Sequence, residues 1–298
     1  MKEQKVLHFH KNKKGRKMGI QLAAIDMDGT LLNEKGVLEK ETANVLQEAS
    51  EKGVFVVPCT GRCWDELPQE LLDIKGIRYA VLSNGARIVD LKTEKTLYLH
   101  TIPFPDVSAL LPMMIKTGLS YEVTYEGSSF VDDSFMAETL RVFEAAGKSY
   151  VKLLERFRFV KDLPAEVHRR KMEIEKISIR RVDPVNRELV LSFFEEHPGY
   201  TVTDFYLNGK EFSDIEINAE NANKGVAIAA LCEMLEIPLE EVIAIGDGHN
   251  DIPLLEAAGF GVAMSNAVED VKSIADYITL SNRENGVATV LRKFVIGR

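Results

Sequence analysis

The stretch "QLAAIDMDGTLL" (21–32) ends an apolar run in two aspartates, Asp26 and Asp28, followed at once by Gly29 and Thr30. Side chains two apart on an extended chain share a side, so both carboxylates are expected to face one spot. A second acidic cluster, "GDGHND" (246–251), brings Asp247, Asn250 and Asp251 far downstream. If Asp26, Asp28 and Asp247 converge, each close pair repels by roughly 1 to 4 kcal/mol in a partly hydrated setting, and a hard divalent cation is the natural resident. Donors that are all oxygen favour magnesium. With the metal in place a phosphate is attracted too, and Thr60, the Gly61 backbone N–H and Lys224 offer the donors and charge its oxygens require.

Each residue taken singly has a plainer explanation. An Asp after a strand is often a loop residue or helix cap. Asn250 and Asp251 stand where a cap belongs, with Pro253 in the first turn. Thr60-Gly61 could be a turn, and Arg62 a solvated side chain. Lys224 is harder to dismiss, because a cation in a helix's first turn meets the positive end of the macrodipole and is mildly unfavourable without an anion nearby.

The elements that must position these groups alternate from residue 19 onward. "QLAAID" reads as a strand, 39–52 as a helix closed by Gly53, "VFVVPC" as a second strand and "AVLSNGA" (80–86) as a third. The rhythm resumes with a helix near 223–236, the strand "EVIAIGD", a helix near 251–258, and short strands "GFGVAM" and "DYITL". This is an α/β pattern with a mostly parallel, Rossmann-like sheet. Ligands bind such sheets at the carboxyl ends of the strands, where Asp26–Thr30, Thr60–Arg62, Asn84–Gly85 and 246–251 all fall. Between the two stretches, "YEVTYEG", "EKISIRR" and "GYTVTDFYL" are strand-like, with helices expected near 106–117, 133–147 and 185–197, so 87–206 reads as an inserted α+β domain.

"DMDGTLL", a downstream Thr-Gly-Arg, a Lys-Gly and "GDGHNDIPLLEAAG", in that order, resemble the haloacid dehalogenase-like (HAD) hydrolases, over about residues 20–295. The insert after "SNGA" is similar in position and size to the cap of their Cof-type branch, subfamily IIB. The resemblance implies a discontinuous catalytic core (19–86 and 207–298), a type C2 cap (87–206) that selects the substrate, and a magnesium-dependent phosphatase working through an aspartyl-phosphate. Asp26 would be the nucleophile and Asp28 the general acid and base. Gly29 would turn the chain sharply and Thr30 fix that loop. Asp26, the Asp28 backbone carbonyl and Asp247 would hold Mg2+, with Asp251 supporting them. Thr60, Gly61, Lys224 and Asn250 would hold phosphate, and Asn84 would line the pocket. The implied substrates are small phosphorylated metabolites such as sugar phosphates, pyridoxal phosphate or phosphorylated flavin precursors. Tyr121, Tyr125, Arg169-Arg170-Lys171, Arg180 and Arg181 are candidates for cap contacts, or else core and surface residues. Pro58-Cys59 departs from the small or apolar pair usual before the threonine. It puts a thiol beside the expected phosphate pocket, as an oxidation site or a buried inert cysteine. His249 occupies a variable loop position and is expected to be exposed.

Two other functions compete on this core: a phosphotransferase or mutase passing the phosphoryl group to a sugar, and a non-catalytic phosphosugar sensor. A sensor would be expected to have lost a carboxylate that this chain keeps. Dinucleotide binding fails at position 251, where Asp stands in place of the third glycine after Gly246-x-Gly248, and no Walker-type loop is present.

The composition agrees. The 298 residues, 45% of them hydrophobic, suffice for two domains. A formal charge of -9 disfavours nucleic acid and anionic membrane as partners. No apolar run is long enough for a bilayer, and three cysteines (Cys59, Cys63, Cys232) are too few for a disulfide scaffold, which points to a cytoplasmic protein. Residues 2–17 are the exception, with seven Lys/Arg against one Glu. Residues 1–18 read as a disordered basic leader or an upstream start before Met18, with an arm for an acidic partner as the alternative.

Overall fold

The computed structural model describes residues 10–11, 17–135, 137, 156–205 and 212–297. After a two-residue antiparallel ladder, His10–Lys11 with Lys17–Met18, its strands are β1 (Leu22–Asp26), β2 (Phe55–Cys59), β3 (Tyr79–Leu82), β4 (Arg87–Asp90), β5 (Lys95–Leu99), β6 (Tyr121–Tyr125), β7 (Ser128–Val131), β8 (Phe157–Phe159), β9 (Lys176–Val182), β10 (Tyr200–Asp204), β11 (Ser213–Ala219), β12 (Val242–Gly246), β13 (Phe260–Ala263) and β14 (Tyr277–Ile278). The helices that matter for the site are α1 (Lys40–Glu51), α2 (Lys224–Met234) and α3 (Ile252–Ala257).

The chain divides into two compact units. The larger comprises the described residues up to Gly61, Leu67–Tyr98 and those from Asn223 onward; the smaller comprises Arg62–Glu66 and the described residues of Leu99–Ala222. The division falls beyond the 87 and 206 expected from the sequence. The strands β4 and β5 extend the larger unit's sheet, and β11 belongs to the sheet of the smaller one.

The larger unit holds an eight-stranded sheet in the order β14-β13-β12-β1-β2-β3-β4-β5. The strands from β14 to β3 run parallel, and β4 returns antiparallel to β3. β1 and β12 are buried along their whole length, as strands covered on both faces must be, which is why "LAAID" and "VIAIG" carry no alternation. Each fully buried Leu, Ile or Val there contributes about 1.5–3 kcal/mol, so the strand ends are a stiff platform. β1 lies between β12 and β2, and its chain leaves toward β2 through α1, so β1 and β12 flank a point where the strand order reverses. A crevice opens at such a point in parallel sheets.

The smaller unit is built on a six-stranded sheet in the order β8-β7-β6-β9-β11-β10. Register pairs set Val123 beside Ile177 and Ile177 beside Ile217, which makes one face apolar. Thr124 pairs with Lys176, and Ser178 with both Glu122 and Glu216, which makes the other polar. Among its described residues are the helices Phe104–Thr117, Leu163–Arg170 and Pro184–Glu196. The expected helix 133–147 lies largely outside the described residues, as do residues 206–207 of the expected last strand and most of the basic leader.

Candidate active site

β1 ends at Asp26, and there the extended conformation stops. Met27 is already in a turn, so the alternation assumed for Asp26 and Asp28 does not apply. Asp26 is 5% exposed, whereas Asp28 is an exposed residue. The two carboxylates differ in burial. The chain turns back through Leu31 N–H to the Asp26 carbonyl (3.2 Å) and Leu32 N–H to the Met27 carbonyl (2.9 Å). Gly29 sits in this turn at φ +87°, and a Cβ there would lie 2.3 Å from Asp247 Oδ2, so only glycine lets the turn pass so close to a carboxylate. Thr30 Oγ1 donates to Asp247 Oδ1 at 2.8 Å, tying the turn to the end of β12.

The groups that converge are Asp26, Asp247 and Asp251. One carboxylate oxygen from each lies within 4.8 Å of the others. Lys224, in the first turn of α2, is completely buried, and its Nζ donates to Asp26 Oδ1 and Asp251 Oδ1, both at 2.6 Å. These are the anions that compensate a cation in that unfavourable helical position. Asp251 Oδ2 accepts the backbone N–H groups of Asp247 (2.9 Å) and Gly248 (3.0 Å). Its carboxylate therefore holds Lys224 and caps the short 3₁₀ turn His249–Asp251 through the Gly248 N–H, in line with the capping alternative, while making no cap hydrogen bond to α3.

Electrostatics follow from this packing. Burial pushes the Asp26 carboxyl well above its ordinary range, the charge of Asp251 adds to the effect, and Lys224 opposes it. Asp247 is pushed up to about 6, first by burial and then by Asp251. Burial by itself disfavours the Lys224 charge, but Asp251 and Asp26 more than reverse this, and its pKa stands above the usual lysine value. Three carboxylates and one ammonium leave an excess of two negative charges, and Asp26 Oδ2 is buried without a hydrogen-bond partner. The cluster thus fits a hard divalent cation with oxygen ligands. The Asp28 carboxylate is not among its members.

The other expected residues fall at the neighbouring strand ends. Thr60 follows β2, is buried, and donates its N–H to the Val81 carbonyl (2.9 Å), while its own carbonyl accepts the Asn84 N–H (3.0 Å). Gly61 is the next residue. The third strand stops at Leu82 instead of running on to Ala86, because Ser83, Asn84 and Gly85 take positive φ values of 51°, 58° and 107°. At Gly85 a Cβ would meet the Asn223 carbonyl oxygen at 2.2 Å, so this loop packs against the start of α2. Asn250 Nδ2 donates to Asn84 Oδ1 at 3.2 Å, bringing those two together. Cys59, next to the cluster, is fully buried, and burial pushes its thiol up, which makes it an inert neighbour. His249 is exposed, within 3.2 Å of Asp270.

Two residues at this end were not anticipated. Asn266 Nδ2 donates to the Gly29 carbonyl (2.9 Å) and, at 3.4 Å, to Asp247 Oδ2; Asn282 Nδ2 donates to the Leu32 carbonyl (2.9 Å). Asn266 lies in a loop and Asn282 opens a single 3₁₀ turn, neither with a periodicity to mark it. In the smaller unit, Arg180 is paired with Glu122 (3.0 Å) and Asp214 (3.3 Å), Arg169 and Arg170 with Glu166, and the Arg181 guanidinium lies 4.6 Å from the Phe212 ring centre. Tyr121 is buried and Tyr125 packs edge-on against Phe130.

Sequence comparison accords with this geometry. Phosphatase YwpJ of Bacillus subtilis (strain 168) is 34% identical over 296 residues, covering 92% of this chain and 99% of the relative. The 5-amino-6-(5-phospho-D-ribitylamino)uracil phosphatase YcsE of the same strain is 31% identical over 281 residues, covering 93% and 96%. The solved structure of a haloacid dehalogenase-like hydrolase from B. subtilis superposes with a TM-score of 0.77 at 30% identity, covering 92% of this chain and 99% of that one. Residues 23–291 match the haloacid dehalogenase-like hydrolase family, and the chain belongs to it.

Proposed function

We propose that this protein is a magnesium-dependent phosphatase that hydrolyses phosphate monoesters of small metabolites through an aspartyl-phosphate on Asp26. The observation that carries the proposal is the state of Asp26. One of its oxygens is held by Lys224, while the other is buried and unpartnered beside two more carboxylates. The names of the two relatives above support the phosphatase class, and one of them, acting on a phosphoribityl compound, supports a polyhydroxylated leaving group.

In this reading Asp26 Oδ2 attacks phosphorus in line as the bond to the leaving oxygen breaks, and Asp28 gives that oxygen a proton. Asp28 then takes a proton from water, the resulting hydroxide displaces Asp26 from phosphorus, and inorganic phosphate and the free carboxylate are regenerated. The exposed setting of Asp28 suits a group that must gain and lose a proton in each cycle, whereas buried Asp26 is held for attack. Lys224 would offset the phosphate charge, and Thr60, Gly61 and Asn250 would supply donors to its oxygens. Asp26, the Asp28 carbonyl and Asp247 would hold Mg2+, with Asp251 orienting them; when bound, the ion offsets negative charge on the phosphoryl oxygens. The smaller unit would act as the cap that selects the leaving group. Three buried free thiols accord with a reducing cytoplasm.

The test is Asp26→Asn assayed on p-nitrophenyl phosphate with magnesium and with chelator. Phosphate release should vanish in the variant and in chelator while circular dichroism is unchanged. Turnover retained by the variant would overturn the nucleophile assignment.

A further inference from the structure

We infer that Asn266 and Asn282 form a brace that positions the loop carrying Asp28, so that they act on the protonation of the leaving group without touching it; this rests on the phosphatase reading above. A general acid must come within hydrogen-bond reach of the oxygen it protonates. Asp28 is exposed, so its position follows the backbone of residues 27–32 more than the packing of its own side chain.

That backbone is held on two sides. On one side lie its own turn hydrogen bonds and the contact of Thr30 with Asp247. On the other, the loop faces a cavity of about 520 Å³ whose wall includes Asp28, Gly29, Asn266, Ser281, Asn282 and Arg283. With a cavity in place of packed side chains there, outward movement of the loop is opposed by polar contacts. Asn266 grips the Gly29 carbonyl and Asn282 the Leu32 carbonyl, both at 2.9 Å. The two are joined, since Asn266 Oδ1 accepts the Asn282 backbone N–H at 3.1 Å. Arg283 also pairs with Glu34 across the same opening, but both are well exposed, and such pairs hold little. Asn266 further reaches Asp247 at 3.4 Å, which links the acid loop to the acidic cluster. All of these groups lie in the larger unit.

Leaving-group chemistry separates positioning of an acid from general damage. A nitrophenolate departs without a proton, whereas an alkoxide needs one. The first chemical step should therefore depend on the brace more strongly for alkyl phosphates than for a nitrophenyl ester. The experiment measures kcat/KM of Asn266→Ala and Asn282→Ala on p-nitrophenyl phosphate and on the sugar phosphate that the wild type cleaves fastest. A misplaced acid should lower kcat/KM on the sugar phosphate by roughly 10- to 100-fold, while p-nitrophenyl phosphate, which needs the loop only for the Asp28 carbonyl and not for a proton, should lose about tenfold less. Asn282→Ala, which has no contact with Asp247, should show the same pattern, and it decides the matter if Asn266→Ala fails to fold. Equal losses on both substrates, or no loss on either, would overturn the brace. Phosphate release that survives Asp26→Asn in the wild-type background would instead sink the underlying reading, and the two failures are read from different variants.

Discussion

Replacing Lys224 by Met removes the cation from between Asp26 and Asp251 and leaves an apolar chain in its place. The wild-type ammonium is completely buried and makes two contacts of 2.6 Å, so no water stands ready to take over. Removing one partner of a buried pair leaves uncompensated charge and typically costs 3–5 kcal/mol. A loss of about that size is expected in urea denaturation near neutral pH with chelator present. The sign with pH is fixed by the direction of each shift. Lys224 has a raised pKa, so its contribution is complete below the ordinary lysine value and fades only in strong alkali. Asp26 also has a raised pKa, so the penalty for its charge is present at neutral pH and is relieved as acid protonates it. Without Lys224 that value climbs further. The gap between variant and wild type should therefore narrow on acidification. A loss under about 1 kcal/mol at neutral pH, or a gap that stays constant on acidification, would refute the claim that this lysine holds the acidic cluster together.

Two further outcomes follow from burial. Asp247, raised from 3.8 to about 6, should make the metal-free protein lose stability as pH rises through that interval, by at most roughly 3 kcal/mol. Asp247→Asn should flatten this part of the curve in thermal melts, and an unchanged slope would count against the assignment. Cys59, Cys63 and Cys232 are buried with their thiols pushed up, Cys232 to about 11, so a thiol reagent at mildly alkaline pH should label none in the native protein and all three after unfolding. Rapid native labelling of Cys59 would contradict its inert placement.

What the sequence discloses here is what strands disclose. A buried parallel strand is a continuous apolar run, and its polar end is conspicuous, so Asp26, Thr60, Asn84 and Asp247 could be placed at neighbouring strand ends before any coordinates. The failures come just past those ends. Strand alternation predicts like settings for Asp26 and Asp28, but the chain turns at Met27 and leaves Asp28 exposed where Asp26 is buried, and Leu82 gives way to three left-handed residues that a β pattern does not foresee. Asp251 resembles a helix cap in sequence and does cap the short turn His249–Asp251 with one oxygen, but its other oxygen goes to Lys224, a partner 27 positions back that no cap pattern foresees. Asn266 and Asn282 lie beyond this kind of reading altogether. Asn266 is exposed in a loop and Asn282 half-buried at the start of a single 3₁₀ turn, each with a partner more than 230 positions away in the chain, and their significance arises only from two backbone carbonyls of the acid loop. Side chains that carry charge into the crevice announce themselves through residue type and spacing, whereas those that hold the crevice's backbone in register do so through the fold alone.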